Sequence, residues 1–145
     1  MKIYWTSLFF ICFLAILSNC TNGNSNSKTT PILHPNNDSE LTLLMRDMYN
    51  YYDTLKVNIE AGEVPNQIKD FKEIHDAVAT EPSKSESGLY KAMSIVYIES
   101  AQRLNSSQSN MPEVFNHMVD NCMNCHRQMC PGPMVKIKKL YMNIL

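Results

Sequence analysis

At 145 residues the chain is long enough for one domain with accessory segments around one modest core. Its 13 basic and 14 acidic side chains give a formal net charge of -1, which excludes nucleic-acid binding through a bulk basic field. Ten Met is high for this length; the thioether fills irregular cores and is also a soft metal ligand, so composition leaves both uses open.

The first residues, MKIYWTSLFFICFLAILSNC, place Lys2 before an apolar run from Leu8 to Leu17. The run is short for a transmembrane helix and fits an export signal over residues 1–19. Leu17-Ser18-Asn19-Cys20 resembles a bacterial lipobox, although Asn19 stands where Gly, Ala or Ser is usual. That resemblance implies lipidation at Cys20 and a periplasm-facing, membrane-anchored lipoprotein of the cell envelope. Residues 20–37 lack an amphipathic period and are rich in Asn, Ser, Thr and Pro, which predicts a flexible tether with His34 solvated in it. Cys12 would leave with the signal, so the mature chain has too few spare thiols for a disulfide scaffold.

From residue 38 to 145 the pattern is that of one helical domain. Leu41, Met45, Met48, Tyr52, Leu55 and Ile59 alternate steps of four and three, which predicts a helix capped by Asp38 or Ser39 and ended by Gly62. A second helix is expected after Pro65, with Ile68, Phe71, His75 and Val78 on one face, stopping near Thr80 before Pro82. Leu89, Met93, Val96, Tyr97, Ala101 and Leu104 mark a third helix. A fourth begins near Met111-Pro112, with Pro tolerated in the first turn, and its stripe is Phe115, Met118, Cys122, Cys125 and Met129. Four helices with short connections predict an all-α fold, an antiparallel four-helix bundle. After Pro131-Gly132-Pro133, the segment MVKIKKLYMNIL predicts a short helical tail, either packed on the bundle or, through Lys136, Lys138 and Lys139, facing an acidic partner or a membrane.

Within the fourth helix, Cys122-Met123-Asn124-Cys125-His126 has the form C-x-x-C-H, the spacing of covalent c-type haem attachment. On a helix, residues three and four apart are neighbours. Both thiols therefore reach one porphyrin edge, and His126 supplies an imidazole to the iron. A zinc site wants four converging ligands, whereas Cys125 and His126 are adjacent. A thioredoxin-like pair expects a strand before it, and no strand pattern is present. A local disulfide leaves His126 without a role.

A C-x-x-C-H near the C-terminal end of a helical bundle resembles the class II c-type cytochromes, the cytochrome c′ group, over residues 38 to 130; LLMRDMYNYYDTLK is also similar to the family's first helix. The resemblance implies one covalent haem c, with Cys122 and Cys125 as thioethers, His126 as proximal iron ligand and a first-helix side chain on the opposite face. Met45, followed by Arg46, fits that distal position best, with Met48 as the alternative. His/Met ligation implies an electron carrier, not an enzyme, exchanging single electrons with redox proteins of the envelope. An open distal face would instead make a five-coordinate binder of CO or NO, and a haem-free structural or adhesion lipoprotein is the rival of another class. His75 is expected as a satisfied core histidine or a partner of a haem propionate, and His117 as exposed. Cys130 is expected as a buried free thiol, with an intermolecular disulfide or a place near the haem as alternatives. The CPGP sequence departs from the family's ending, which leaves its homodimer open here.

Overall fold

A computed structural model describes residues 38–107 and 109–144. The expected signal, tether, lipidated Cys20 and His34 lie outside the described residues. The fold is all-α. Its long helices are α1 (Glu40–Glu60), α3 (Gly88–Ser106) and α4 (Met111–Met129), with short helices α2 (Pro82–Ser85) and α5 (Met134–Ile137). Single 3-10 turns lie at Lys72–His75 and Lys138–Leu140. Among the described residues no helix is long and apolar enough to cross a membrane.

Ser39, not Asp38, caps α1: its hydroxyl accepts from the Thr42 amide at 3.2 Å and satisfies an amide that the first turn leaves without an intrahelical partner. Gly62 follows the helix at φ +77°, a conformation that disfavours any residue with a Cβ. Met48, Tyr52, Leu55 and Ile59 of the expected stripe are buried, while Leu41 and Met45 remain partly exposed.

The expected second helix is not formed. Phe71 adopts φ 47°, which no right-handed helix accommodates, and only one 3-10 turn follows it. Ile68, Phe71, Ile74, Ala77 and Ala79 are buried, whereas Val78 faces out. Beyond the few bonds of that turn, backbone groups of this segment are satisfied by side chains from its neighbours. Asn105 of α3 accepts from the Ile68 amide at 2.6 Å and donates to its carbonyl at 2.7 Å. The Tyr51 hydroxyl accepts from the Lys69 amide at 2.9 Å, and Tyr52 donates to the Lys69 carbonyl at 3.1 Å. Tyr90 donates to the Ile74 carbonyl at 2.6 Å. The Tyr52 hydrogen is thus committed, so Tyr97 is the donor in the 2.8 Å contact between their hydroxyls.

The third helix forms, but with a rotated face. Tyr90, Ser94, Tyr97, Ser100, Ala101 and Leu104 point inward, while Leu89 and Val96 are each 48% exposed. Serine is admitted to the core because its hydroxyl returns to its own helix, Ser94 to the Lys91 carbonyl at 2.8 Å and Ser100 to that of Tyr97 at 2.6 Å. α4 follows α3 in the chain, and the two helices pack along each other. Phe115, Met118 and Val119 of α4 meet Leu104, Tyr52 and Phe71 in the centre of the core.

The tail packs, as expected of a helical tail: Ile137, Leu140 and Met142 are buried. Lys56 of α1 donates to the carbonyls of Lys139 and Tyr141 at 3.0 and 2.9 Å. Asn116 of α4 brackets Met142, accepting from its amide at 2.8 Å and donating to its carbonyl at 2.9 Å.

Two outcomes follow from these buried polar contacts. Asn105→Ala leaves both backbone groups of buried Ile68 without partners and should cost about 1–2 kcal/mol in chemical denaturation. Burial raises the hydroxyl pKa of Tyr52, Tyr90 and Tyr97 above the ordinary value. Above about pH 10 the unfolded chain releases protons that the folded chain keeps, so the stability they contribute is complete below that pH and declines above it. Melting temperature should hold to about pH 9 and fall beyond about pH 10, less steeply in Tyr97→Phe.

Candidate functional site

The C-terminal half of α4 sets Cys122, Cys125 and His126 three and four residues apart, and all three line one cleft of about 540 Å³. The wall contributed by α1 includes Met45, Met48, Tyr49 and Tyr52; α2 contributes Lys84 and Ser85; the tail contributes Pro133, Lys136, Ile137 and Leu140. A smaller cavity of about 30 Å³ is lined by the same two cysteines and His126, together with Met93, Ser94 and Tyr97. The larger volume lies within the range of pockets that enclose organic ligands or cofactors.

His126 is 7% exposed. Its Nδ1 lies 3.1 Å from the Cys130 carbonyl, which only accepts, so Nδ1 carries the proton and Nε2 carries the lone pair. Burial holds the imidazole pKa below its ordinary value, with the Cys130 carbonyl acting in the opposite sense, so the ring is neutral near pH 7. No buried side-chain nitrogen or oxygen among the described residues lacks a partner. Nε2 has no hydrogen bond to a described residue and is therefore not fully buried, and His126 lines the cleft.

Burial keeps the two motif thiols in their neutral form. Burial and then the neighbouring Cys125 push Cys122 up to about 12, and burial and then Cys130 push Cys125 up to about 11. Reactive and zinc-binding cysteines need the thiolate and an electropositive setting. Among the described residues no three His, Cys, Asp or Glu converge as a metal-binding group, and Cys122, Cys125 and Cys130 form no disulfide. The arrangement suits an apolar group held against two neutral thiols, with a nitrogen donor beside them.

Met45 and Met48 both reach the cleft, Met48 from within the core at 5% exposure and Met45 from a partly exposed position. Arg46 also lines it, paired through both terminal nitrogens with Asp38 at 2.6 and 2.9 Å. Cys130 is exposed, contrary to the expectation of a buried thiol: α4 ends there, and its Sγ lies 3.4 Å from His126 Nδ1. His75 is satisfied, its Nδ1 2.8 Å from Ser94 Oγ, but it lines neither cavity. His117 is exposed as expected, 3.9 Å from Asp120.

Sequence reasoning missed Tyr90, Lys84 and Lys136 as parts of the site. Lys84 and Lys136 belong to short segments with no periodic signal tying them to a cleft. Tyr90 lay off the face expected for its helix.

No family model matches the chain, and no curated protein or solved structure compared with it matches either.

Proposed function

We propose that the chain is a monohaem c-type cytochrome that carries single electrons in the bacterial envelope. The observation that carries this reading is the sharing of one large cleft by Cys122, Cys125 and His126 with Met45 and Met48 of another helix. The donor set fits the group: two neutral thiols three residues apart, a neutral imidazole that keeps the Nε2 lone pair, and soft thioethers on a facing element. In architecture we read the fold as a variant of the antiparallel four-helix bundle of the class II cytochromes, with the segment around Phe71 standing in the second helix's place.

Cys122 and Cys125 would hold haem c through thioether bonds, and His126 would bind its iron. When bound, the haem supplies a one-electron Fe(III)/Fe(II) couple. The chain's own residues do the rest. The Cys130 carbonyl fixes the tautomer and rotation of His126, an outer contact of the kind that sets ligand basicity. Leu41, Ile137 and Leu140 line the cavity with aliphatic surface and keep water from it. Met45 is the residue we prefer as a second holder of the iron beside His126, with Met48 the alternative; a thioether in that role would favour the reduced state and would close the site to small gases. The resemblance of residues 1–19 to an export signal and of Leu17–Cys20 to a lipobox supports an envelope location, where redox proteins would be the partners.

An optical spectrum of the matured protein, oxidised and reduced, with and without CO, tests the reading. A low-spin spectrum indifferent to CO is expected. Protein that stays colourless after co-expression with haem-attachment machinery would remove the cytochrome reading, and a high-spin spectrum that shifts with CO would make the protein a gas binder. Met45→Ala should convert the oxidised iron to high spin; an unchanged spectrum together with conversion in Met48→Ala would move the ligand to Met48.

A further inference from the structure

Three cations from three elements line the cleft: Arg46 on α1, Lys84 on α2 and Lys136 on α5. Two already hold carboxylates, Arg46 that of Asp38 at 2.6 Å and Lys84 that of Glu81 at 3.0 Å. Lys136 has no carboxylate within ion-pairing distance among the described residues. Its Nζ instead sits 4.1 Å from the centroid of the Tyr49 ring, and Tyr49 lines the same cleft. An ammonium over an aromatic face is attracted by the ring quadrupole while its charge stays uncompensated.

The backbone beneath Lys136 is fixed. Its amide donates to the Pro133 carbonyl at 2.9 Å, and the next residue, Ile137, is buried. Further along, Lys56 and Asn116 tie the tail to α1 and α4. A charge on a held backbone, resting on a ring and facing a cavity without its own counterion, is organised before any ligand enters.

We propose that Lys136, seated on Tyr49, binds a carboxylate of the group in the cleft, namely a propionate of the haem. This rests on the reading of the cleft as a haem site. Thioethers on one helix secure a flat group along one edge only, and a carboxylate gripped from the tail adds an anchor on a second element. The C-terminal tail, which lies beyond the haem-attachment motif, thereby becomes part of the cofactor site. A cation close to the haem also favours its reduced state, which carries one more electron.

The experiment compares Lys136→Gln with Lys138→Gln in the matured protein. Lys138 is exposed on the same tail but does not line the cleft, so it controls for the loss of one surface charge. The expected result for Lys136→Gln is about a threefold shift toward the oxidised form against a fixed-potential reference. A changed propionate bending vibration in the resonance Raman spectrum should accompany it. Lys136→Arg should restore both, Lys138→Gln should change neither, and the unloaded Lys136→Gln chain should melt like its parent. An unaltered propionate vibration in Lys136→Gln, or equal redox shifts in the two Gln variants, would overturn the proposal. A parent protein that never acquires haem would overturn the cofactor reading itself, and its lack of colour shows this before any variant is compared.

Discussion

Where α4 stops decides what His126 can offer. The last carbonyls of a helix have no intrahelical donor, and Pro131, arriving just after the helix, has no N–H and cannot extend the ladder. The Cys130 carbonyl is thus left without a helical partner and takes the Nδ1–H of His126 at 3.1 Å, while the Cys130 amide still closes onto the His126 carbonyl at 3.0 Å. One helix end therefore sets the tautomer, the ring orientation and the nitrogen that keeps its lone pair. Had α4 continued, that carbonyl would have been spent on a backbone amide one turn later.

The same stop builds the facing wall. Pro131, Gly132 and Pro133 turn the chain so that the Met134 amide reaches the Pro131 carbonyl at 3.1 Å, and α5 returns along the cleft with Ile137 and then Leu140 buried. The other boundary is held from α1, whose first turn is tied to the segment before α2: the Leu41 amide donates to the Val78 carbonyl at 3.0 Å and Glu40 accepts from the Val78 amide at 3.1 Å. α2 then brings Lys84 and Ser85 to the rim. The cleft is the space that these short, irregular pieces leave open between α1 and α4, and their hydrogen bonds keep it open.

What the sequence made legible follows from how local each signal is. The first and fourth helices, the cap region at Ser39, the stop at Gly62 and the convergence of Cys122, Cys125 and His126 all depend on spacing within a few turns, and the structure shows them. The second helix failed because Ile68, Phe71 and His75 fit a helical period by chance over so short a stretch. The competing state is stabilised by Asn105, Tyr51, Tyr52 and Tyr90, which lie far away in sequence and satisfy its backbone polar groups. On α3, Tyr97, Ala101 and Leu104 face inward as expected, and the rest of the face differs for a related reason. Hydropathy favours Leu89 and Val96 over Tyr90, Ser94 and Ser100, but hydroxyls that find internal acceptors enter a core cheaply. Cleft residues on α2 and the tail had no local signature, since only tertiary packing places them.

A cleft of this size sits uneasily in a chain with so modest a core. Its lining includes Leu41, Met45, Ile137 and Leu140, and covering apolar surface of this kind stabilises a fold in proportion to the area covered. Any group that fills the cleft and binds only the folded chain would add that stabilisation and shift the folding equilibrium by mass action. Covalent attachment removes the concentration term, because the group cannot leave. Two neutral thiols on the wall of an apolar cavity suit that solution, since they cost little to bury and do not compete for metal ions as thiolates would. On the haem reading, the placement of Cys122 and Cys125 on the wall of that cleft would tie the stability of the domain to the loading of its site.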